Sequence, residues 1–232
     1  MNKLFLGLSA VALIAFTSCE KKEAIPTSDA ENVAEKTETS SDFVVDTETS
    51  NVEWRGYKIL DGETDEQGHH GTMKLSSGTI HLENNQIVAG EFVIDASSIE
   101  AMDLIEDEEN KGKLEGHLKS ADFLDVETYP SPTFNITSVH ALDGDYNTEI
   151  SGNLKMREVE KNISFKANVD VDNDKLSIAS EEFTINRKDF GIVFNPAKGS
   201  VIRDNVTLRV NVQADKTAST EDVNEVEVEI VE

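Results

Sequence analysis

Three places in the sequence hold side chains whose type and spacing suit chemistry: the lone Cys19, the adjacent pair His69 and His70, and the acidic run DVDNDKLSIASE at 170–181. A cysteine acts as a nucleophile through its thiolate, which needs a setting that lowers its pKa. The polar chain after Cys19 offers none. A catalytic zinc needs three converging protein ligands, and adjacent residues on a strand face opposite ways; His81, His117 and His140 lie far off in the sequence. The acidic run places Asp170, Asp172, Asp174 and Glu181 at the first, third, fifth and twelfth positions of an EF-hand loop. Lys175, however, stands where the sharp turn takes a Gly, and no helical pattern flanks the run. A hairpin turn explains the same residues. There is no GxSxG elbow, phosphate-cradling Gly-rich loop or HExxH motif, and the many carboxylates show no spacing that marks an acid/base pair. The sequence reads as that of a protein that is not an enzyme, with no metal and no cofactor.

What Cys19 does is set by what precedes it. Lys3 gives a positive start, and Leu4 to Phe16 is an apolar run of signal-peptide length, too short to span a bilayer; Thr17 and Ser18 then lead into the cysteine. This pattern resembles a bacterial lipobox, in which residues 1–18 are a lipoprotein signal peptide and Cys19 carries a lipid. An ordinary secretory signal with an incidental cysteine is the alternative. Lipidation would leave no thiol for an intramolecular disulfide, so packing must stabilise the domain. Residues 19–42 are rich in Glu, Thr, Ser and Ala and poor in large apolar side chains, the composition of a flexible tether. Residues 216–232 read as an acidic tail. Between them, 43–215 has the length of one domain with one core. The net charge of -25 and pI near 4.4 argue against nucleic acid as a partner, and against electrostatic attachment to anionic lipid. The expected location is the cell envelope, with the protein exported and held at a membrane through Cys19. No protein partner is indicated.

The elements that must position any site are strands. NVEWRGYKI, HGTMKLSSGTIHLEN, QIVAGEFVIDASSI, TFNITSVHAL, YNTEISGNLKM, KNISFKANVDV, KLSIASEEFTINR and VIRDNVTLRVNVQA are rich in Val, Ile, Thr, Phe and Tyr, and SSG (76–78), ENN (83–85), DGD (143–145) and DND (172–174) punctuate them as turns. Val206, Leu208, Val210 and Val212 alternate with polar residues, giving that segment one dry face. Short turns make antiparallel neighbours, so the fold class is all-β, a sandwich or a closed barrel. One stretch differs. In LIEDEENKGKLEGHLKSADFLD (104–125), Leu114, His117, Leu118 and Ala121 recur at helical spacing, acidic residues crowd the start and Lys119 lies near the end. A short helix near 110–121 is expected to plug or cover an opening, with His117 a satisfied core histidine on its apolar face.

Several ordered motifs then resemble one family. GHLKSADFLDVETYPSPTF (116–134), SGNLKMREVEKNISF (151–165), FTINRKDFGI (183–192) and IRDNVTLRVNVQA (202–214) are similar to the signature of the YceI-like polyisoprenoid-binding proteins. VEWRGYK (52–58), HHGTMKLSSGTI (69–80) and GEFVIDASSIEAMDL (90–104) extend the resemblance over the whole domain. It implies a lipocalin-like antiparallel β-barrel of about eight strands, with an isoprenoid chain in an apolar interior, and it makes His70 a structural residue at the start of a strand. Such a barrel is just wide enough to be filled by side chains or to hold one small ligand. Within the matched motifs, Trp54, Phe92, Ile94, Leu118, Phe123, Phe134, Phe165, Phe183 and Phe190 are the apolar residues to place near a cavity. His117 and Arg187 are the polar ones; Arg187 is expected either to meet a ligand head group or to pair with Asp189 or Asp122. The function implied is that of a membrane-anchored protein that sequesters or carries a quinone or polyprenyl phosphate. The alternative is a non-catalytic structural or protein-interaction lipoprotein with a filled core, tied to stress tolerance.

Overall fold

The computed structural model describes residues 23–217; the signal segment, Cys19 and most of the expected acidic tail lie outside them. In chain order the elements are β1 (Ser28–Asp29), β2 (Ser41–Val45), β3 (Asn51–Leu60), β4 (Glu66–Glu83), β5 (Gln86–Ala101), α1 (Glu108–Lys119), β6 (Thr133–Ala141), β7 (Thr148–Met156), β8 (Val159–Asp172), β9 (Lys175–Ser180), β10 (Phe183–Asn186), a 3-10 turn (Arg187–Phe190), β11 (Ser200–Ile202) and β12 (Asn205–Lys216). Strands β3 to β8 pair in sequence, each antiparallel to the next; β9 bridges β8 and β12, and β12 returns to β3. The sheet thus closes as the eight-stranded antiparallel barrel the sequence implied. β2 continues the β3 wall between β4 and β12, and β10 continues the β9 wall along β12.

Turn chemistry explains part of this order. Asn84 and Asn85 both take positive φ, 52° and 60°, as a two-residue hairpin between β4 and β5 requires. The acidic run resolves in the same way. Asn173, at φ 53°, turns β8 into β9, with Asp172 paired to Lys175 across the ladder. SSG is not a turn. It lies within β4, where the pairing with β5 slips one register between Leu75 and Ser77, a bulge that bends the strand instead of ending it. KLSIASEEFTINR splits at Glu181 and Glu182 into β9 and β10, and the short β2 carried no clear alternation in sequence.

The expected tether takes a different course over its described part. Residues 23–40 cross the outside of the barrel as a strap: the N–H of Ile25 donates to Thr184, Ser28 pairs with Asn162, and the N–H of Ala34 donates to Ile136. Asn153, buried beneath the strap, accepts from the N–H of Glu31 at 3.0 Å and donates to its carbonyl at 2.7 Å. A polar segment with few apolar residues is held here by backbone hydrogen bonds, which composition does not reveal.

Candidate functional site

Inward-facing residues fill one half of the barrel and leave the other half open. In the filled half, Phe92, Phe134, Phe165 and Phe183 form a chain of rings, with centroid separations of 6.3, 5.6 and 4.7 Å and the last pair stacked. With Ile94 they border a wholly apolar inner chamber of about 70 Å³. That is roughly the volume share of two waters. These residues are therefore mainly core.

The open half is a chamber of about 360 Å³, within the range of small-molecule sites. Leu208 borders both spaces. Trp54, Ile99, Leu114, Leu118 and Leu124 form one wall, Ile185, Ile192 and Val206 another. No Asp or Glu lines it, although the chain carries 46 of them. Its roof is α1, which Asp107 caps by accepting from the N–H of Asn110. The helix buries no residue completely but lays Leu114 and Leu118 on Trp54, Ile99 and Ala101. Ala121 does not continue that stripe: the helix ends at Lys119, and Ala121 is exposed in the turn beyond it.

The two polar candidates sit otherwise than expected. His117 is exposed at the rim, not buried. It meets Phe123 and Phe194 edge-on at 4.9 and 5.1 Å, and its Nε2 lies 3.3 Å from Asp122. These three rings partly close the mouth. Arg187 is 3% exposed and pairs with neither Asp189 nor Asp122. Its guanidinium donates to the carbonyls of Ile192 at 2.6 Å, Arg203 at 3.1 Å and Ile202 at 3.4 Å, and to Asp204 at 3.1 Å. Burial pushes its pKa down and Asp204 draws it back up. Arg187 thus ties the irregular 191–203 segment to the barrel and presents part of the chamber wall. Asp189 instead accepts from the hydroxyl of Thr27 on the strap.

Phe190 contacts neither space. It is fully buried in the main core, so its place in the candidate set is corrected to packing. Residues that sequence reasoning left out include Tyr57, Met156, Ile192 and Phe194. Phe194 lies in GIVFNPAKGS, where irregular backbone removes the two-residue period that marks inward positions. Its aromatic ring in a Gly/Pro segment was the available signal. His69 also reaches the chamber, with Nδ1 2.8 Å from Asp103, whose other oxygen accepts from the N–H of His70 at 3.0 Å. Among the described residues no three His, Cys, Asp or Glu side chains are placed to hold a metal ion.

Fold and chamber define a closed antiparallel barrel with a largely apolar pocket at one end. The YceI-like domain matches residues 43–214, and the chain belongs to that family. It is 30% identical over 120 residues to a UPF0312 protein of Pseudomonas putida, a match covering 50% of this chain and 54% of the relative. It is 32% identical over 100 residues to Protein YceI of Escherichia coli O157:H7, covering 42% and 47%. The matched region spans about half the length of these curated relatives. Among solved structures, BcnA of Burkholderia cenocepacia superposes with a TM-score of 0.55 at 15% identity, over 73% of this chain and 98% of the other. A polyisoprenoid-binding domain from Saccharophagus degradans, implicated in plant cell wall breakdown, gives 0.53 at 13%, over 75% and 98%. At these identities the superpositions speak to the fold.

Proposed function

We propose that the protein is an exported, membrane-anchored carrier that takes up an isoprenoid lipid, a quinone or a polyprenyl phosphate, into the chamber under α1. The observation that carries this reading is the chamber: about 360 Å³, lined mostly by apolar and aromatic side chains and free of carboxylates in an acidic protein. The polyisoprenoid-binding domain of Saccharophagus degradans, with the same fold, supports the choice of ligand class. Each CH2 buried contributes roughly 0.8 kcal/mol, so a few isoprene units bind firmly without polar contacts. The inner chamber, at about 70 Å³, admits a longer tail only if the phenylalanine cluster shifts. Anchoring rests on the signal-like segment before Cys19. Protein stripped of lipid and offered a radiolabelled prenylated quinone or polyprenyl phosphate in detergent should retain one of them stoichiometrically through gel filtration; retention of neither would overturn the carrier reading. The filled inner half favours a second reading, a non-catalytic interaction lipoprotein, and that failure would leave it standing.

A further inference from the structure

Strand register sorts the polar residues at the chamber wall. β3 and β4 pair without a slip from Asn51 to Ile59, opposite Lys74 to Glu66, so positions 56 and 58 share the inward face of Trp54. Lys58 stands there, half-buried, between its cross-strand neighbours Gln67 on β4 and Ile202 on β11, and all three line the chamber. Tyr57 faces the other way: a Cβ on its partner Gly68 would lie 2.8 Å from its ring. Beside Lys58 the wall recedes. Gly56 pairs with His69, and a Cβ on it would meet no atom within 4 Å. Its φ is not positive, so the backbone does not call for glycine; what glycine leaves there is room.

Charge balance singles out Lys58. Four other basic side chains line the chamber, and each meets a carboxylate that does not: Arg187 meets Asp204, Arg203 meets Glu66, His69 meets Asp103 and His117 meets Asp122. Lys58 alone of the five has no ion-pair partner among the described residues. A partly desolvated ammonium beside an apolar wall favours a counter-ion. We propose that Lys58 makes the chamber selective for lipids with an anionic head group, a phosphate monoester or a carboxylate, seated against Gly56. The inference rests on the carrier reading above and chooses within it: a polyprenyl phosphate neutralises the ammonium, which pairs with phosphate as a point charge with three donors, whereas a quinone leaves it without a counter-ion. The tail then runs past Leu208, which borders both chambers, toward the phenylalanine cluster.

Full-length protein stripped of lipid is offered, in neutral detergent, a radiolabelled polyprenyl phosphate, the polyprenol of the same chain length, a prenylated quinone, a long-chain fatty acid and inorganic phosphate. The expected result is that the polyprenyl phosphate is held about tenfold more tightly than the polyprenol and the quinone. Lys58→Met should bring the phosphate down to the level of the alcohol, Lys58→Arg should keep the preference, and Gly56→Val should narrow it by filling the space beside the ammonium. A fatty acid that loses affinity in Lys58→Met by the same factor places carboxylates in the selected class. Equal retention of phosphate and polyprenol by the unaltered protein, tighter retention of the quinone, or a preference that survives in Lys58→Met would each overturn the assignment while the carrier reading stands. Inorganic phosphate bound as tightly as the lipid, and lost in Lys58→Met, would overturn the head-group assignment in favour of the free anion. Retention of no lipid would defeat the carrier reading and this inference with it.

Discussion

Phe165 shows how single residues decide between a filled and a hollow barrel. It is 5% exposed and stacks on Phe183 with planes 5° apart, so Phe165→Ala should lower stability by about 3–5 kcal/mol. The same truncation enlarges the inner chamber. Urea unfolding checks the first effect, and tighter retention of long-chain over short-chain isoprenoids checks the second; equal retention of both would show that the cluster does not limit chain length. Gly71 has the opposite constraint. A Cβ there would fall 1.7 Å from the carbonyl oxygen of Glu100, so Gly71→Ala should cost about 1–3 kcal/mol through forced movement of β4 from β5. Asp103 governs acid sensitivity near the mouth. Burial pushes its carboxyl pKa up, but the hydrogen bonds from the His70 N–H and the His69 ring prevail and hold it below the ordinary value. The folded state therefore favours the ionised form, and its contribution is fully present above the unfolded pKa of about 3.9. It is lost as pH falls through the lower folded-state value. Asp103→Asn should flatten the loss of stability as pH falls below about 4 in urea titrations, and an unchanged slope would contradict this assignment.

Two elements depend on polar side chains buried beneath them. Arg187 binds the 191–204 segment by four hydrogen bonds, a geometry that a lysine ammonium cannot reproduce. Arg187→Lys should cost on the order of 2 kcal/mol and open that segment to proteolysis before the barrel unfolds. Asn153, 2% exposed, does the same for the strap. Asn153→Ala should cost about 1–3 kcal/mol, and hydrogen exchange of amides 25–34 should accelerate while β7 and β8 remain protected. How legible these elements were follows from their chemistry. Alternating β12 and the Asn-rich hairpin at 84–85 were plain because a dry face and positive φ each require particular residue types. The strap was not, because its bonds come from backbone groups that every residue carries. Ala121 was misplaced because a 3.6-residue period does not show where a helix ends, and His117 because it stands inside α1 with its ring at the rim against Phe123 and Phe194.

At the scale of the whole molecule, sequence conveyed closure into a barrel through ordered motifs spread over the domain, but not how its interior divides. Whether inward aromatics meet and fill space, as Phe92, Phe134, Phe165 and Phe183 do, or border an open chamber, as Trp54 does, depends on strand register and on where α1 seats. Neither is written in local periodicity. The result is an acidic barrel packed at one end and open at the other, with its open end roofed by a short helix that leaves Leu114 and Leu118 only half-buried. That roof is tied to β5 by Glu115, which accepts from the N–H of Ala101 at 2.9 Å, and by Lys111, which donates to Glu100 at 2.6 Å. Native mass spectrometry of the full chain purified from bacterial membranes, followed by organic extraction, tests the central claim most directly. The account predicts one bound species per barrel with the mass of an isoprenoid lipid. A chain that flies without ligand, and gains none after incubation with prenylated quinone or polyprenyl phosphate, would contradict it.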